Sequence, residues 1–226
     1  MSPEERKQAV EEAKARLSKR SAIGMAQACR EASLQRKGLD MNIPSDFNGM
    51  TFNDYNINHE GQEIASAQAQ AYATQFDRAE TRGIIFMGSP GTGKSMLACC
   101  VVRNISMGNK GSARFDTSSS IVERIKATFG QRKNNGSPTE QDITTRLRAP
   151  DLLIIDDVGR IKGDNMEGGI LDNLICTRLQ EGRSTGLTTM LSEAQLENLI
   201  GSAAYDRLKW HDGVFANMTW ESWRIG

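Results

Sequence analysis

Eight residues, 88–95, with the sequence GSPGTGKS, restrict the fold of this chain more than any other segment. They match the pattern G-x-x-x-x-G-K-S and stand between a short apolar run, residues 84–87, and a helical run that begins at Lys94. Glycines let such a loop wrap so that successive backbone N–H groups point at phosphate oxygens, and the following helix adds its positive end. A glycine-rich turn with an incidental lysine is the less favoured alternative, because the motif and its strand-loop-helix context agree. We therefore predict nucleotide binding.

The residues of this loop have separate expected roles. Lys94 is expected to reach the β and γ phosphates of ATP, and the Ser95 hydroxyl to ligate Mg²⁺. The predicted cofactors are therefore ATP and Mg²⁺. The predicted cofactor-binding residues are Gly88, Ser89, Pro90, Gly91, Thr92, Gly93, Lys94 and Ser95.

A second segment, residues 152–157, predicts the metal-binding residues of the same site. It reads LLIIDD, an apolar strand that ends in two carboxylates. Parallel strands present ligands at their carboxyl ends, where phosphates bind in such folds. Asp156 is expected to hold Mg²⁺ through the water shell of the ion, and Asp157 to orient and polarise the attacking water. An Asp pair can also form a turn or a helix N-cap, but the phosphate loop favours the metal interpretation.

Apolar strand-like runs alternate with amphipathic helical runs from residue 83 onward. Such alternation is typical of an α/β fold in which helices cover both faces of a parallel sheet. The predicted strands are residues 84–87, 113–115, 152–155, 187–191 and 214–218. The predicted helices are residues 61–76, 94–107, 118–130, 138–147, 166–181 and 193–208.

The first part of the chain differs in composition. Residues 3–38 are rich in Ala, Glu, Lys, Arg and Gln and predict a helix with few apolar positions, which is either solvated or docks on a partner. Residues 41–58, with Pro44, Gly49 and several Asn, predict a linker. We therefore expect a helical N-terminal arm at 1–40, a linker at 41–58 and an ATPase domain at 59–226.

Charge and cysteine content exclude several classes of protein. The 28 Lys and Arg balance the 28 Asp and Glu, so the chain has no global positive field that would attract nucleic acid. It has neither an apolar run of about 18 residues nor a secretory signal, so we expect a cytoplasmic protein. The cysteines show no C-x-x-C spacing, and we expect buried thiols rather than a zinc site or disulfides at Cys29, Cys99, Cys100 and Cys176.

Several segments together resemble one family of AAA+ P-loop ATPases. They are the F-x-x-Y run at 52–55, the phosphate loop, the LLIIDD strand with Gly159, the T-G-x-x-T run at 185–189 and the W-x-S-x-R run at 220–224. This combination resembles the helicase loaders DnaC and DnaI and the transposition helper IstB, over residues 20–225. The phosphate loop is generic, whereas the combination is far more specific.

The resemblance implies an ATPase that loads a hexameric, DnaB-like replicative helicase onto single-stranded DNA during the initiation of DNA replication. ATP binding and hydrolysis would time its release. The arm would dock on the helicase, and copies of the chain would associate through the ATP interface. Arg207 would reach the γ phosphate of a neighbouring subunit.

The resemblance also places a DNA-contacting helical insertion at residues 117–149. Residues 121–148 contain six basic and three acidic side chains, and this surplus of positive charge suits contacts with phosphates. A solvated helix pair remains an equally good interpretation of this charge, and single-stranded DNA is expected to bind the isolated chain weakly. The basic residues are Arg124, Lys126, Arg132, Lys133, Arg146 and Arg148.

Three features depart from the family pattern. Met190 stands where loaders usually have an Asn that senses the γ phosphate, and a thioether cannot donate that hydrogen bond. Hydrolysis is therefore expected to be slow or to depend on Thr189. Asp157 stands where many AAA+ proteins have a Glu of longer reach, and the arm is shorter than in DnaC.

Two other functions are compatible with the sequence. A transposition helper of the IstB kind would bind duplex DNA and assemble with ATP without binding a helicase. A small P-loop phosphotransferase would need an acceptor pocket and an arginine-bearing lid, and no lid segment is evident after Arg207.

Overall fold

The apolar runs of the sequence form one parallel sheet. The computed structural model describes residues 24–26, 28–29, 32–33, 41–129, 138–160, 165–210 and 213–222. Its strands lie side by side in the order β2-β3-β4-β1-β5, and all neighbouring pairs are parallel. The predicted α/β class is therefore confirmed. The strands are β1 (Gly83–Gly88), β2 (Ala113–Thr117), β3 (Leu152–Val158), β4 (Ser184–Thr189) and β5 (Val214–Met218).

Helices cover the sheet on both faces because successive strand residues point to opposite sides. Ile84 and Phe86 of β1 pack into the core with the first two helices, and Ile85 and Met87 pack into the core with the later helices. The helices described are α1 (Glu60–Thr74), α2 (Lys94–Met107), α3 (Ser118–Lys126), α4 (Glu140–Arg148), α5 (Asn165–Gln180), α6 (Glu193–Ile200) and α7 (Ser202–Lys209).

Three predicted elements differ from the structure. The helix predicted at 118–130 ends at Lys126. The helix predicted at 193–208 is divided into α6 and α7 by Gly201, whose φ of 81° an α-helix does not accommodate. The strand predicted at 187–191 begins earlier, at Ser184, and ends at Thr189. Its polar residues concealed the strand, but all of β4 is buried because neighbouring strands and helices surround it.

Residues 41–58 are part of the folded unit, so the prediction of a linker is wrong. The chain divides into two compact units, Met1–Asp40 and Met41–Gly226. The Phe115 amide donates to the Met41 carbonyl (2.8 Å), which gives the edge strand β2 a partner. Phe47 and Phe52 pack against the core, and Tyr55 is buried in it. Two short 3-10 turns, Ser45–Phe47 and Phe52–Asp54, place these aromatic rings.

Within the unit Met1–Asp40, the described residues are helical. Met25 and Cys29 are exposed there, and the remainder of the predicted helix lies outside the described residues. Cys99 and Cys100 are buried and Cys176 is half-buried, so the expectation of buried thiols is wrong for Cys29. In the described part of the chain, no helix has the length and apolar character needed to cross a membrane.

A fully buried arginine on α5, Arg178, joins α4 to β4. Its guanidinium donates to the carbonyls of Leu147 (2.8 Å) and Arg148 (3.1 Å), at the end of α4. It also donates to the Pro150 carbonyl (3.0 Å), and to the Ser184 carbonyl (2.6 Å) at the start of β4. Burial lowers the pKa of Arg178 to about 9, so the group remains charged at neutral pH. A cation at this position complements the negative end of α4.

Candidate nucleotide-binding site

The phosphate loop connects β1 to α2, as the sequence predicts. Lys94 is buried, and its ammonium donates to the carbonyls of Gly88 (2.9 Å) and Ser89 (2.7 Å), which closes the loop around the side chain. The N-cap of α2 is Gly93, so the positive end of that helix faces the loop. A cavity of about 370 Å³ lies beside it, lined by Phe47, Pro90, Gly91, Gly93, Lys94, Ser95, Met96, Asp157, Arg160 and Met190.

Two aromatic side chains that are distant in sequence form hydrogen bonds with the Thr92 carbonyl of the phosphate loop. The Tyr55 hydroxyl donates to this oxygen (3.1 Å), and so does the Trp220 indole N–H (3.0 Å). The Tyr55 ring also lies where a Cβ on Gly93 would be, at 2.6 Å, so only glycine fits at that close approach. The F-x-x-Y and W-x-S-x-R runs therefore both contribute to the shape of the loop.

Asp156, at the carboxyl end of β3, lies against the loop. The hydroxyls of Ser95 (2.8 Å) and Thr188 (2.5 Å) both donate to its Oδ1 atom. Burial raises the pKa of Asp156, and the two hydroxyl donors and Lys94 partly oppose that shift. The structure thus brings together the two predicted metal residues, Ser95 and Asp156, which supply the oxygen ligands that Mg²⁺ prefers.

Asp157 has an unusual backbone conformation that turns its side chain toward the cavity. Its φ is 56°, in the left-handed region that residues other than glycine rarely adopt. Its amide donates to the Thr188 hydroxyl (3.0 Å), and its carbonyl accepts from the Ser118 hydroxyl (3.1 Å). Strain of this kind persists only where neighbouring contacts maintain it, so Thr188 and Ser118 are positioned to hold the conformation.

The two threonines at the end of β4 have different surroundings. Thr188 bridges Asp156 and Asp157, a role that the sequence prediction missed. Thr189 is fully buried, and its hydroxyl donates to the Val158 carbonyl (2.7 Å) and accepts from the Leu191 amide (3.0 Å). Because side chains alternate along a strand, only one of the two can face the carboxylates. The structure thus places Thr188 there and Thr189 outside the cavity lining.

Arg207 lies away from the phosphate loop of its own chain. It belongs to the last turn of α7, and the backbone of the next residue, Leu208, packs against Gly83 at the start of β1. The phosphate loop follows the other end of β1. Arg207 donates to the Cys176 carbonyl (3.5 Å) and lines a separate hollow with Trp210.

Two members of the predicted basic cluster are paired with carboxylates. Arg124 donates to the buried Asp116 (2.5 Å), and Arg148 forms an ion pair with Glu181. Arg132 and Lys133 lie outside the described residues, and Phe129 is half exposed. The surplus of positive charge available to DNA is therefore smaller than the sequence indicates.

Comparison with known proteins identifies the family. The model of the family described as IstB-like ATP binding protein matches residues 9–225. The replicative helicase loader DnaC of Escherichia coli K12 is 29% identical over 206 residues, which are 87% of this chain and 82% of that protein. The DnaC of Buchnera aphidicola subsp. Schizaphis graminum is 30% identical over 77% of this chain and 69% of its own length.

A solved structure supports the fold. The crystal structure of the DnaC helicase loader superposes with a TM-score of 0.67 and 18% identity, over 77% of this chain and 99% of that chain. The family model spans nearly the whole sequence, and the parallel sheet carries the phosphate loop at the carboxyl end of β1. The chain therefore belongs to the family of IstB-like ATP binding proteins, together with the DnaC helicase loaders that it resembles.

Proposed function

We propose that this protein is an ATP-dependent loader that delivers a hexameric replicative helicase to single-stranded DNA during the initiation of replication. The observation that carries the proposal is the match to proteins named replicative helicase loader DnaC over 87% of the chain. The phosphate loop and the adjacent carboxylates supply the ATP-dependent part of that function. A loader acts where the bacterial chromosome replicates, so the proposed location is the cytoplasm.

We assign the chemical roles from the geometry of the site. Lys94 would bind the β and γ phosphates, and Ser95 and Asp156 would hold Mg²⁺. The hydroxyl groups of Ser95 and Thr188 orient Asp156, and Asp157 polarises the attacking water. Bound Mg²⁺ would neutralise charge that develops on the phosphates. Arg207, remote from its own loop, acts on the nucleotide of a neighbouring subunit.

Replacing Asp157 separates ATP binding from ATP hydrolysis. We expect Asp157→Asn to lower kcat by about 100-fold or more, since the amide is a poor base and general-base assistance contributes about 10²–10⁴-fold. The affinity for ATP should change less than about threefold, because binding depends mainly on Lys94 and the loop amides. Single-turnover hydrolysis and equilibrium binding measure the two effects. Unchanged turnover would remove the proposed role of Asp157.

The proposed partner is tested with the helicase itself. Mixed with the replicative helicase of the same organism, the full chain should comigrate with it in size-exclusion chromatography. We expect deletion of residues 1–40 to abolish this complex, because the remaining unit, Met41–Gly226, contains the ATPase core and not the arm. ATP binding by the truncated chain is the control for folding. Failure of the full chain to bind the helicase contradicts the loader function.

Binding to DNA and to further copies of the chain completes the proposal. Because Arg124 and Arg148 are engaged with carboxylates, few cations remain to neutralise phosphates, and the isolated chain is expected to bind single-stranded DNA weakly. Self-association through the ATP interface would bring Arg207 of one copy to the nucleotide of the next. It would also align several weak DNA contacts along one strand.

The family description is also compatible with a second candidate function, that of a transposition helper of the IstB kind. Duplex-DNA binding with ATP-driven assembly, in the absence of helicase binding, would support it. The relatives reported above are named as helicase loaders, so the loader remains the better supported function. They give no support to a small phosphotransferase.

A further inference from the structure

Arg160 lies at the mouth of the nucleotide cavity and contacts the carboxylate assigned to water activation. Its Nη1 atom donates to Oδ2 of Asp157 (3.1 Å), and both residues line the cavity beside Lys94 and Met190. A guanidinium bound to a carboxylate stabilises its charge and occupies one of its oxygens. Asp157 in this arrangement is therefore less available to a water molecule.

The backbone of Arg160 is held in place although its side chain is 69% exposed. The Arg160 amide donates to the Asp157 carbonyl (3.2 Å), which closes a tight turn after β3. The Gly159 amide donates to the buried Glu167 carboxylate (3.2 Å). Gly159 has a φ of 85°, and a Cβ on it would lie 2.4 Å from Leu191. The turn is therefore fixed, and the long side chain of Arg160 is the part that can change partner.

The charges around the cavity indicate which group the Arg160 side chain can bind in place of Asp157. Among the described residues that line it, the cationic side chains are Lys94 and Arg160. Lys94 is buried at the loop, whereas Arg160 lies at the cavity wall in contact with Asp157, the carboxylate proposed to activate the water that attacks the γ phosphate. Met190 is half exposed there and has no hydrogen to donate. Arg160 presents five donors in a planar fork that matches phosphate oxygens.

We propose that Arg160 recognises the γ phosphate in cis, exchanging its ion pair with Asp157 for the phosphate oxygens when ATP is bound. An exposed ion pair contributes little net free energy, so the exchange costs little. It would also free Asp157 to polarise water only when a triphosphate is present. The proposal rests on the ATPase function proposed above, and it gives this chain a γ-phosphate contact where Met190 provides none.

The test compares a triphosphate with a diphosphate. Affinities for ADP and for AMPPCP, an ATP analogue that is not hydrolysed, are measured by calorimetry with Mg²⁺ for the wild type and for Arg160→Gln. We expect the ratio of AMPPCP affinity to ADP affinity to fall about tenfold in Arg160→Gln, the size of one charge-assisted contact to phosphate. ADP affinity should stay within about twofold, because ADP lacks the group that Arg160 contacts. Arg160→Lys should retain part of the preference.

The control is Arg78→Gln, which removes the same charge from an exposed position before the start of β1, whereas the cavity lies at the carboxyl ends of the strands. In this variant, the ratio of AMPPCP affinity to ADP affinity should equal that of the wild type. If Arg160→Gln weakens both ligands equally or leaves both unchanged while the wild type binds them, the inference about Arg160 is overturned and the ATPase proposal stands. If the wild type binds neither nucleotide, both proposals are overturned.

Discussion

Lys94→Ala is expected to weaken ATP binding by about 100-fold or more, equivalent to about 2.7 kcal/mol. The ammonium is buried within the loop and donates to the carbonyls of Gly88 and Ser89. Its removal takes away the cation that we propose binds the β and γ phosphates, and also the contacts that close the loop. Calorimetric titration with ATP and Mg²⁺ measures the loss.

The matched control is Lys110→Ala. Lys110 also donates to two backbone carbonyls, those of Ala73 and Thr74, but it does so at the end of α1. The Lys110 variant should bind ATP as the wild type does, and its melting temperature shows what the loss of two such contacts costs in stability. Retained ATP affinity in Lys94→Ala would show that Lys94 stabilises the loop but does not bind the nucleotide. An equal loss in both variants would point to a general effect on the fold.

Arg178→Met is expected to destabilise the protein by about 3–5 kcal/mol, because it leaves several buried oxygens without their donor. Those oxygens are the carbonyls at the end of α4 and the start of β4, and the hydroxyl of Thr185 (3.1 Å). A loss of this size lowers the melting temperature by about 10 °C in a chain of this length. Calorimetry or urea unfolding measures it, with ATP absent so that ligand binding does not contribute.

Arg183→Met provides the comparison for Arg178. Arg183 forms an ion pair with Asp151, but its side chain is 38% exposed. An ion pair with this exposure contributes about 1 kcal/mol or less, so the variant should melt close to the wild type. Equal losses from the two substitutions would mean that burial of Arg178 does not determine its contribution to stability.

The parts of the fold that could be predicted are those set by local pattern. The apolar runs near residues 84 and 152 form strands because their side chains are buried on both faces of a parallel sheet. The runs near residues 113 and 214 form the two edge strands, which are buried only in part. β4 was predicted less well, since its hydroxyl side chains form hydrogen bonds that only the folded chain supplies. Thr185 accepts from Arg178, and Thr188 donates to Asp156.

Prediction was least successful where contacts join residues distant in sequence. Residues 41–58 contain Asn, Gly and Pro and have the composition of a linker, yet Tyr55 from this segment donates to the phosphate loop. Sequence spacing gives no information on which of two adjacent threonines faces a carboxylate, and the structure places Thr188 there. The ion pair of Asp157 with Arg160 depends on a turn with positive φ at Asp157 and Gly159, which the sequence pattern did not reveal.

The sequence by itself determined the phosphate loop at residues 88–95 and the carboxylate pair, because each is encoded in a short stretch whose pattern has one favoured structure. It also determined the α/β class, because strand-like and helical runs alternate from residue 83 onward. The tertiary structure alone decided how these pieces act together. Tyr55 and Trp220 meet at the Thr92 carbonyl, Thr188 connects the two aspartates, and Arg207 lies far from its own loop. Such contacts depend on the order of strands in the sheet and the turns between them, which no local pattern specifies.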